Sequence, residues 1–408
     1  MSPLLRADRA QVWSAYGRTR SHSAELVAGL TPEDQGLQSM PDASPTKWHL
    51  AHTTWFFEAV VLQPHVTAHR AFNAEFSFLF NSYYESLGPR HPRPQRGLLS
   101  RPPVSGVWAY RQYVDKAMLA FISTAGEEAW AAAAPLIELG LHHEQQHQEL
   151  IATDILHAFS LNPTLPAWHP NATHEPAAEA SPVEWLQHER GMAEIGHSGE
   201  GFSFDNETPR HRVWLEPFEI ANRLVTNAEF MQFIDDGGYR NPALWLSEGW
   251  AQVQNHGWTH PLYWIAPGDP RAPAQHWQTF GATGVQPFDS NAPVSQLSFY
   301  EAAAYAQWAG ARLPTEAEWE VMSAAKDAVA VTGVVWQWTR SSYDPYPRFK
   351  PLAGAVAEYN GKFMVGQMVL RGGSEFTPTG HTRRTYRNFF PPTARWQFSG
   401  VRLARDLA

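Results

Sequence analysis

The chain has 408 residues, of which 43% are hydrophobic, and this length predicts two domains that each bury a sizeable core. Its formal net charge is −9, from 31 basic and 40 acidic residues without a basic run, so nucleic acid is excluded as an expected partner. The chain contains no cysteine, which excludes disulfides, thiolate metal ligands and cysteine nucleophiles.

The hydropathy pattern indicates where the protein resides. The first residues, MSPLLRADRAQVW, lack the apolar region of a secretory signal. No stretch approaches the ~18 consecutive apolar residues that a membrane span needs. We therefore expect a soluble, cytoplasmic protein with no membrane partner.

The first part of the chain, residues 1–165, is predicted to be a helical bundle. Apolar residues recur at intervals of three to four in the segments near 8–29, 45–62, 104–123 and 127–159. Ser44 and Pro45 are typical of the N-cap and first turn of the second helix. Four such helices predict a bundle, whose interior is a common place for a metal site. The loop FNSYYESLGPRHPRPQRGLLSRPPV connects the second helix to the third, and its length suggests a functional role.

A change of composition separates this half from the next. Residues 166–190 are rich in proline, alanine and asparagine and are predicted to be a linker. Residues 191–408 combine short alternating strands (HRVWLEPFEI, QMVLRGGS, FSGVRLARD) with two helices (TNAEFMQFIDD, SFYEAAAYAQWAGA). The expected fold class is therefore α+β, with a helical bundle followed by an irregular α+β domain.

The motif HHEQQHQE, at positions 142 to 149, suggests a metal site. On a helix His143 and His147 project from one face on successive turns, while Gln146 lies near enough to reach what they hold. A catalytic metal needs a third ligand, and WHLAHTTWFFE offers His49 and His52, between which the spacing does not choose. A polar helix surface with coincidental histidines is the alternative interpretation.

Several longer motifs resemble one family, the ergothioneine-biosynthesis sulfoxide synthases (EgtB), which are mononuclear non-haem iron enzymes. In the first half these are MPDASPTKWHLAHTTWFFE, LFNSYYESLGPRHPRPQRGLLSRP and LGLHHEQQHQEL; in the second, EYNGKFMVGQMVLRGGS and TYRNFFPPTARWQFSGVRLARD. The family joins a DinB-like four-helix bundle to a domain similar to the formylglycine-generating enzyme. The resemblance implies that His52, His143 and His147 bind iron(II).

The resemblance also implies a reaction. Iron(II) and O2 couple a thiol, here cysteine, to the imidazole C2 of hercynine, Nα-trimethylhistidine, and the product is a sulfoxide. Three neutral imidazoles leave further coordination positions on the metal open, as such chemistry requires. Hercynine, the thiol donor and O2 are accordingly the expected small-molecule partners.

Four residues are implied in substrate binding. Gln146 matches a glutamine that hydrogen-bonds the hercynine imidazole, and Asn388 matches a substrate-contacting asparagine. Phe389 and Phe390 offer aromatic faces to a quaternary ammonium, by a cation-π attraction of ~0.5–2 kcal/mol, although a place in the core is the alternative for both. Some relatives carry an acidic residue at the position of Phe390 to bind γ-glutamylcysteine, so the phenylalanine favours a smaller thiol.

The long loop supplies two further groups of candidates. Tyr83 and Tyr84 match tyrosines that line the iron site in cysteine-using relatives, and the Tyr84 phenol is the preferred proton donor to oxygen. Arg90, Arg93 and Arg96 are spaced for bidentate recognition of substrate carboxylates. A solvated basic loop is the alternative for the three arginines.

Two departures from the family pattern leave the donor open. Only 15 residues separate Glu320 from Trp336, and Val365 and Glu375 stand where many relatives have cysteine. The related selenoneine synthases join hercynine to a seleno-sugar on the same scaffold, so formation of a C-Se bond is the first alternative.

Two other function classes are weighed against these. DinB-like bundles also resemble thiol transferases that use a divalent metal without O2, and activity without oxygen would favour that class. A structural metal site beside a lectin-like binding domain would make the protein a non-enzyme. Absence of O2 consumption with every donor would favour this last interpretation.

Overall fold

The computed structural model describes residues 8–169, 176–199, 201–324, 333–352, 356 and 359–407. The chain divides into two compact units. Unit 1 comprises Met1–Asn162, Gly199–Phe202 and Leu352–Tyr359. Unit 2 comprises Pro163–Ser198, Ser203–Pro351 and Asn360–Ala408. Among the helices of the described residues, none combines the length and apolar character that crossing a membrane requires.

Unit 1 is helical, as the sequence predicts. Its helices are α1 Arg9–Leu26, α2 Thr46–Phe56, α3 Gln63–His65, α4 Phe76–Phe80, α5 Val104–Thr124 and α6 Glu127–Ser160. Both α1 and α2 pack against α5 and α6, which gives the expected four-helix arrangement. All eleven residues of α2 are buried, so every side chain of this helix faces protein.

The start of α2 differs in detail from the prediction. Pro45 is the N-cap and provides no side-chain hydrogen bond, whereas Ser44 lies before the helix. The backbone N–H of Ser44 instead donates to the Asp154 carboxylate on α6, at 2.8 Å. The entry into α2 is therefore fixed by a contact between helices rather than by a local cap.

A close approach of two helices explains Gly140 in the middle of α6. Beyond Phe56 the second helix continues as a π-helical turn, Phe57–Leu62. A Cβ added at Gly140 would lie 2.6 Å from the Phe57 ring, closer than any real contact. Glycine therefore lets the π-helical turn pack directly onto α6, one turn before the histidine motif.

Unit 2 combines short helices with short strands. The helices are α7 Asn227–Asp235, α8 Ser247–His256, α9 Phe299–Trp308 and α10 Glu316–Met322. The strands are β1 Trp185–His188, β2 Gly191–Ile195, β3 His211–Leu215, β4 Phe218–Ala221, β5 Trp264–Ile265, β6 Gln278–Gly281, β7 Gly284–Pro287, β8 Trp336–Ser342, β9 Met368–Arg371, β10 Asn388–Phe390, β11 Ser399–Gly400 and β12 Ala404–Asp406. Helices α7, α9 and α10 each begin with a capping box, in which a Ser or Thr and the third helical residue, a glutamate, bond each other's backbone.

Within the described part of unit 2, the strands form four small sheets. Their orders are β1-β4-β12, β10-β9-β8-β11, β2-β3 and β5-β6-β7, and every pairing is antiparallel except β11 with β8. One apolar cluster lies on β3, β4, α10 and β12, formed by Leu215, Phe218, Ile220, Met322 and Ala404. The α+β fold class is confirmed, and the segment predicted as a linker contributes the strand β1.

Candidate metal centre

Three histidines come together inside unit 1. His52 lies on α2, and His143 and His147 lie one turn apart on α6; each offers a ring nitrogen, and these nitrogens lie within 4.8 Å of one another. The three side chains are almost entirely buried, with exposed fractions of 0%, 1% and 8%. The helical spacing thus brings the predicted pair together, and α2 supplies the third imidazole.

Hydrogen bonds set the orientation of His52. Its Nδ1 lies 2.6 Å from the carbonyl oxygen of Phe80, which can only accept, so Nδ1 carries the proton and Nε2 a lone pair. That Nε2 faces Nε2 of His143 at 3.2 Å. Two imidazole nitrogens bound at about 2.1 Å to one divalent metal lie ~3 Å apart, so this spacing fits a shared ion.

The protonation of the three rings also fits a metal. Burial lowers the pKa of His143 to about 3. Burial, with the neighbouring His143 imidazole as the next cause, lowers the pKa of His52 and of His147 well below its usual value. Neutral imidazole is the form that binds metals, so the three rings need not release protons at pH 7.

One polar atom of the site lacks a protein partner. Nδ1 of His143 is buried and has no hydrogen-bond partner in the part of the chain that the structure describes. A buried polar atom left in this way costs about 1–3 kcal/mol. Nε2 of the same ring faces the position of a shared ion, so a substrate or water molecule, rather than the metal, is the natural partner of this Nδ1. The spacing, burial and neutral state of the three rings are what fit a metal ion.

His49, the other candidate on α2, lies outside this group. Its Nδ1 is 2.8 Å from Nδ1 of His147, and its Nε2 is 3.1 Å from the Asp154 carboxylate. His49 therefore contacts His147 but is not one of the three grouped histidines.

Gln146 has a partner that sequence reasoning missed. The Tyr359 hydroxyl donates to its side-chain oxygen at 2.5 Å, and the Tyr359 ring lies 5.6 Å from that of His143. The two partners are 213 residues apart, so no local pattern could reveal the pair. The only sequence signal was the motif EYNGKF, which contains Tyr359.

The two adjacent tyrosines occupy different environments. Tyr84 is fully buried, and its ring lies 5.6 Å from that of Trp55, which stacks on His52 at 5.5 Å. Tyr83 is partly exposed and stacks on Tyr84 at 4.7 Å. Both tyrosines therefore belong to the aromatic surroundings of the three histidines.

The structure separates the three arginines of the loop. Arg90 is exposed and pairs with Glu85 at 2.8 Å, and Arg93 is exposed and donates to the backbone oxygen of Asp42. Arg96 differs, because only 3% of it is exposed. The solvated-loop interpretation therefore does not describe Arg96.

Arg96 is held under an aromatic ring of the site. Its guanidinium lies 3.3 Å from the centre of Trp48, whose ring stacks on His52 at 4.7 Å. It donates to the hydroxyls of Ser44 and Ser82, and no carboxylate pairs with it among the residues described. Burial lowers its pKa to about 8, and the nearby Arg93 adds to this shift. Such a cation is favourably placed for an anionic ligand.

The three candidates near the end of the chain lie on one strand of unit 2. Asn388, Phe389 and Phe390 form β10, and all three are half-buried. Phe389 stacks on Tyr343 at 4.0 Å and lies 5.9 Å from the ring of Phe363. The Asn388 side-chain oxygen accepts from the Phe389 backbone at 2.9 Å. The ring of Phe389 is thus part of an aromatic group.

An ionic network that the sequence did not suggest includes Glu144, a residue of the histidine motif. Glu144, which directly follows His143 on α6, pairs with Arg20 at 2.7 Å and with Arg111 at 2.9 Å and accepts from Ser23. These arginines lower the pKa of Glu144 to about 2, against the effect of its burial. The network ties α1 and α5 to the helix that carries His143 and His147.

Both halves of the chain match known domain models. Residues 15–151 match the DinB superfamily, and residues 172–329 and 323–407 match the sulfatase-modifying factor enzyme 1-like domain. A formylglycine-generating enzyme of Streptomyces coelicolor is 35% identical over 182 residues, which cover 41% of this chain and 55% of that relative.

Two relatives match along nearly the whole chain. A hercynine oxygenase of Mycolicibacterium smegmatis is 31% identical over 91% of this chain and 93% of its own length. A hercynine oxygenase of Mycolicibacterium thermoresistibile is 29% identical over 90% of this chain and 88% of its own length. On this similarity, together with the two matching domains, the chain belongs to the hercynine oxygenase family.

Proposed function

We propose that this protein is an iron(II)- and O2-dependent enzyme that couples cysteine to the imidazole C2 of hercynine and forms the sulfoxide. The observation that carries the proposal is the convergence of three buried, neutral imidazoles, from His52, His143 and His147, in a member of the hercynine oxygenase family. In this proposal the overall reaction consumes one O2: one oxygen atom enters the sulfoxide and the other leaves as water.

In this proposal the three histidines hold iron(II), which supplies a redox centre for O2 and a Lewis acid for the thiolate. His52 is held by the Phe80 carbonyl, so its lone pair is presented without rearrangement. Trp48 and Trp55 stack on the two sides of His52 and exclude water from its ring. The residues thus pre-organise a dry site.

The substrates are proposed to be bound by polar groups around this centre. Gln146 would hydrogen-bond the hercynine imidazole, with the Tyr359 hydroxyl holding its amide in position. Arg96 would attract a substrate carboxylate, since it is a buried cation with two hydroxyl partners and an aromatic platform. Asn388, Phe389 and Phe390 remain candidates for substrate contact by resemblance, as do the exposed Arg90 and Arg93.

Incubation of the iron(II)-loaded protein with hercynine and cysteine, with and without O2, tests this function. The expected result is a product of sulfoxide mass in air and none under argon, read by mass spectrometry. Coupling that proceeds equally well under argon would contradict the proposal and favour a DinB-like thiol transferase.

Formation of a C-Se bond is kept as the second candidate because of the departures at Val365 and Glu375. Val365 is 73% exposed and has a φ of 71°, a backbone conformation that a β-branched residue rarely adopts. Glu375 is also exposed. Residues of this kind at positions where many relatives have cysteine are consistent with a changed donor.

A prediction about Tyr84 follows if its phenol delivers a proton during reduction of O2. Tyr84→Phe should keep metal and hercynine affinity but slow sulfoxide formation or divert the thiol to its sulfinic acid. Product analysis by mass spectrometry, beside binding titrations, measures both effects.

Matched variants of the two neighbouring tyrosines complete this experiment. Tyr83→Phe and Tyr359→Phe remove two further phenols, of which that of Tyr359 lies on the ring beside His143 and that of Tyr83 on the ring beside Tyr359. An unchanged rate and product in Tyr84→Phe, with the diversion seen in one of the others, would assign the proton donor to that residue instead.

A second prediction concerns the donor. Phe390 offers an apolar ring where some relatives have a carboxylate, and a buried ammonium without a partner costs several kcal/mol. Cysteine should therefore exceed γ-glutamylcysteine by at least about tenfold in kcat/KM, equivalent to ~1.4 kcal/mol.

Competition among cysteine, γ-glutamylcysteine and a seleno-sugar, read by product mass, measures this preference. Phe390→Asp should raise turnover of γ-glutamylcysteine relative to cysteine. Dominant use of γ-glutamylcysteine by the native protein would refute the role of Phe390, and a selenium product with negligible cysteine coupling would establish the second candidate.

A further inference from the structure

Hydrogen bonds link three side chains of unit 1 in a row: His147 of the candidate metal centre, His49 and Asp154. Asp154 lies on α6, seven residues and two turns after His147, and His49 on α2 lies between them. Oδ2 of Asp154 is 3.1 Å from Nε2 of His49, and Nδ1 of His49 is 2.8 Å from Nδ1 of His147. His49 and Asp154 are 2% and 7% exposed, so water does not compete for these hydrogen bonds.

The protons shared among these three side chains can be assigned from the donors and acceptors that each group offers. Oδ2 of Asp154 accepts from the backbone N–H of Ser44 at 2.8 Å, so this oxygen presents lone pairs to its neighbours. His49 must then donate to it through Nε2–H. A neutral His49 has only a lone pair left at Nδ1, so the proton shared with His147 belongs to Nδ1 of His147.

This placement determines which nitrogen of His147 can bind a metal. A neutral imidazole with its proton on Nδ1 has its lone pair on Nε2, the other nitrogen of the ring. The same tautomer is imposed on His52 by the Phe80 carbonyl. His147 differs from His52 because its partner, His49, is itself hydrogen-bonded to the Asp154 carboxylate. A carboxylate outside the ligands makes an imidazole a more basic ligand.

We infer that His49 and Asp154 are positioning residues that hold His147 in its Nδ1–H tautomer and so present its Nε2 to the metal. The inference rests on the proposed metal centre, in which His147 is a ligand. It assigns a role to His49, which is not one of the three grouped histidines, and to the buried acid Asp154.

The effect of a substitution at His49 or Asp154 depends on the hydrogen-bonding groups of the new side chain. His49→Leu removes the acceptor for the Nδ1 proton of His147. His49→Asn keeps an acceptor, because an asparagine oxygen can take the place of the histidine Nδ1. Asp154→Asn keeps an oxygen that can accept from Ser44 and His49, but it removes the negative charge that makes His147 a more basic ligand.

Binding of cobalt(II), a stand-in for iron(II) that does not react with air under these conditions, provides a readout independent of activity. We expect His49→Leu and Asp154→Asn to bind cobalt(II) about 10–100-fold more weakly than the native protein. We expect His49→Asn to recover most of this loss. His157→Gln is the matched control, because His157 lies on the same helix and bonds Ser39 instead, and its affinity should be unchanged.

The tautomer itself can be observed without any variant. Nitrogen-15 NMR of the metal-free native protein should show His147 protonated at Nδ1 and unprotonated at Nε2. A proton on Nε2 would overturn the inference, even if the variants fail to fold. Native cobalt affinity in folded His49→Leu would overturn it as well.

The same titration separates this inference from the proposed function. His52→Ala and His143→Ala should lose cobalt(II) binding if the metal centre is correct. If they lose it while His49→Leu and Asp154→Asn bind normally, the positioning role fails and the metal centre stands. If His52→Ala and His143→Ala keep native affinity, the metal centre itself is wrong.

Discussion

Substitution of His143 by alanine is expected to remove the bound iron and all coupling activity. The three rings form a nearly equilateral triangle, in which His143 lies 4.9 Å from His52 and 4.6 Å from His147, and His52 lies 4.8 Å from His147. Its loss leaves two ligands, which is too few for a stable catalytic site. The fall in metal affinity should exceed the 10–100-fold typical of an outer-shell partner.

Iron content after purification and gel filtration measures this loss, and a thermal unfolding scan shows whether the variant is folded. The matched control is His142→Ala, which removes the adjacent imidazole. The His142 ring stacks on Phe202 at 3.9 Å and does not belong to the group. A folded His143→Ala protein with full iron content and activity would refute its assignment as a ligand.

Of the substitutions proposed here, Glu144→Ala is expected to lower the free energy of unfolding the most. Glu144 is 1% exposed and pairs with two buried guanidinium groups, those of Arg20 and Arg111; Arg20 has a second carboxylate partner in Asp115. Removal of one partner from a buried ion network leaves uncompensated charge and typically costs about 3–5 kcal/mol. Because α6 also carries His143 and His147, we expect metal affinity to fall with the stability of the bundle.

Urea unfolding of the metal-free protein measures this cost. Glu128→Ala is the control, since Glu128 is an exposed glutamate in the first turn of α6 and its loss should cost less than about 1 kcal/mol. Adding Arg111→Ala to Glu144→Ala should cost less than the two single losses together, because the second change removes a charge already left unpaired. Additive losses, or a cost near zero for Glu144→Ala, would contradict this account of the network.

Helical periodicity was sufficient to predict the bundle and to bring together two of the three histidines of the candidate metal centre. The four main helices of unit 1 begin and end within a few residues of their predicted bounds when the π-helical turn Phe57–Leu62 is counted with α2, because apolar residues recur at helical intervals in each. The spacing of His143 and His147 placed both on one face for the same reason. The choice between His49 and His52 could not be made in this way, because α2 is buried on all sides and has no face that periodicity could identify.

Other features depended on contacts between distant residues. Arg90, Arg93 and Arg96 look alike in the sequence, and only tertiary packing buries the last of them beneath Trp48. The partner of Gln146, Tyr359, lies on a distant segment. Helices α8 and α10 were not predicted, since α10 has only seven residues and α8 buries just two of its ten.

The buried acids Glu144 and Asp154 are the clearest omissions. Asp154 stands among apolar residues in IATDIL, whereas Glu144 stands within the polar motif HHEQQHQE; both are buried, where an acid requires a partner. Their presence could have been used as a sign of buried networks, but the sequence does not identify the partners. Arg20 and Arg111 lie on other helices, and His49 lies 105 residues before Asp154.

The reaction under 18O2 tests the central claim most directly. The iron(II)-loaded protein is supplied with hercynine and cysteine under 18O2, and the product is analysed by mass spectrometry. We predict a product that joins the two substrates with loss of two hydrogens and carries one 18O atom, with the second oxygen in water. A coupled product without 18O, or labelled cysteine sulfinic acid as the sole product in the presence of hercynine, would contradict the account.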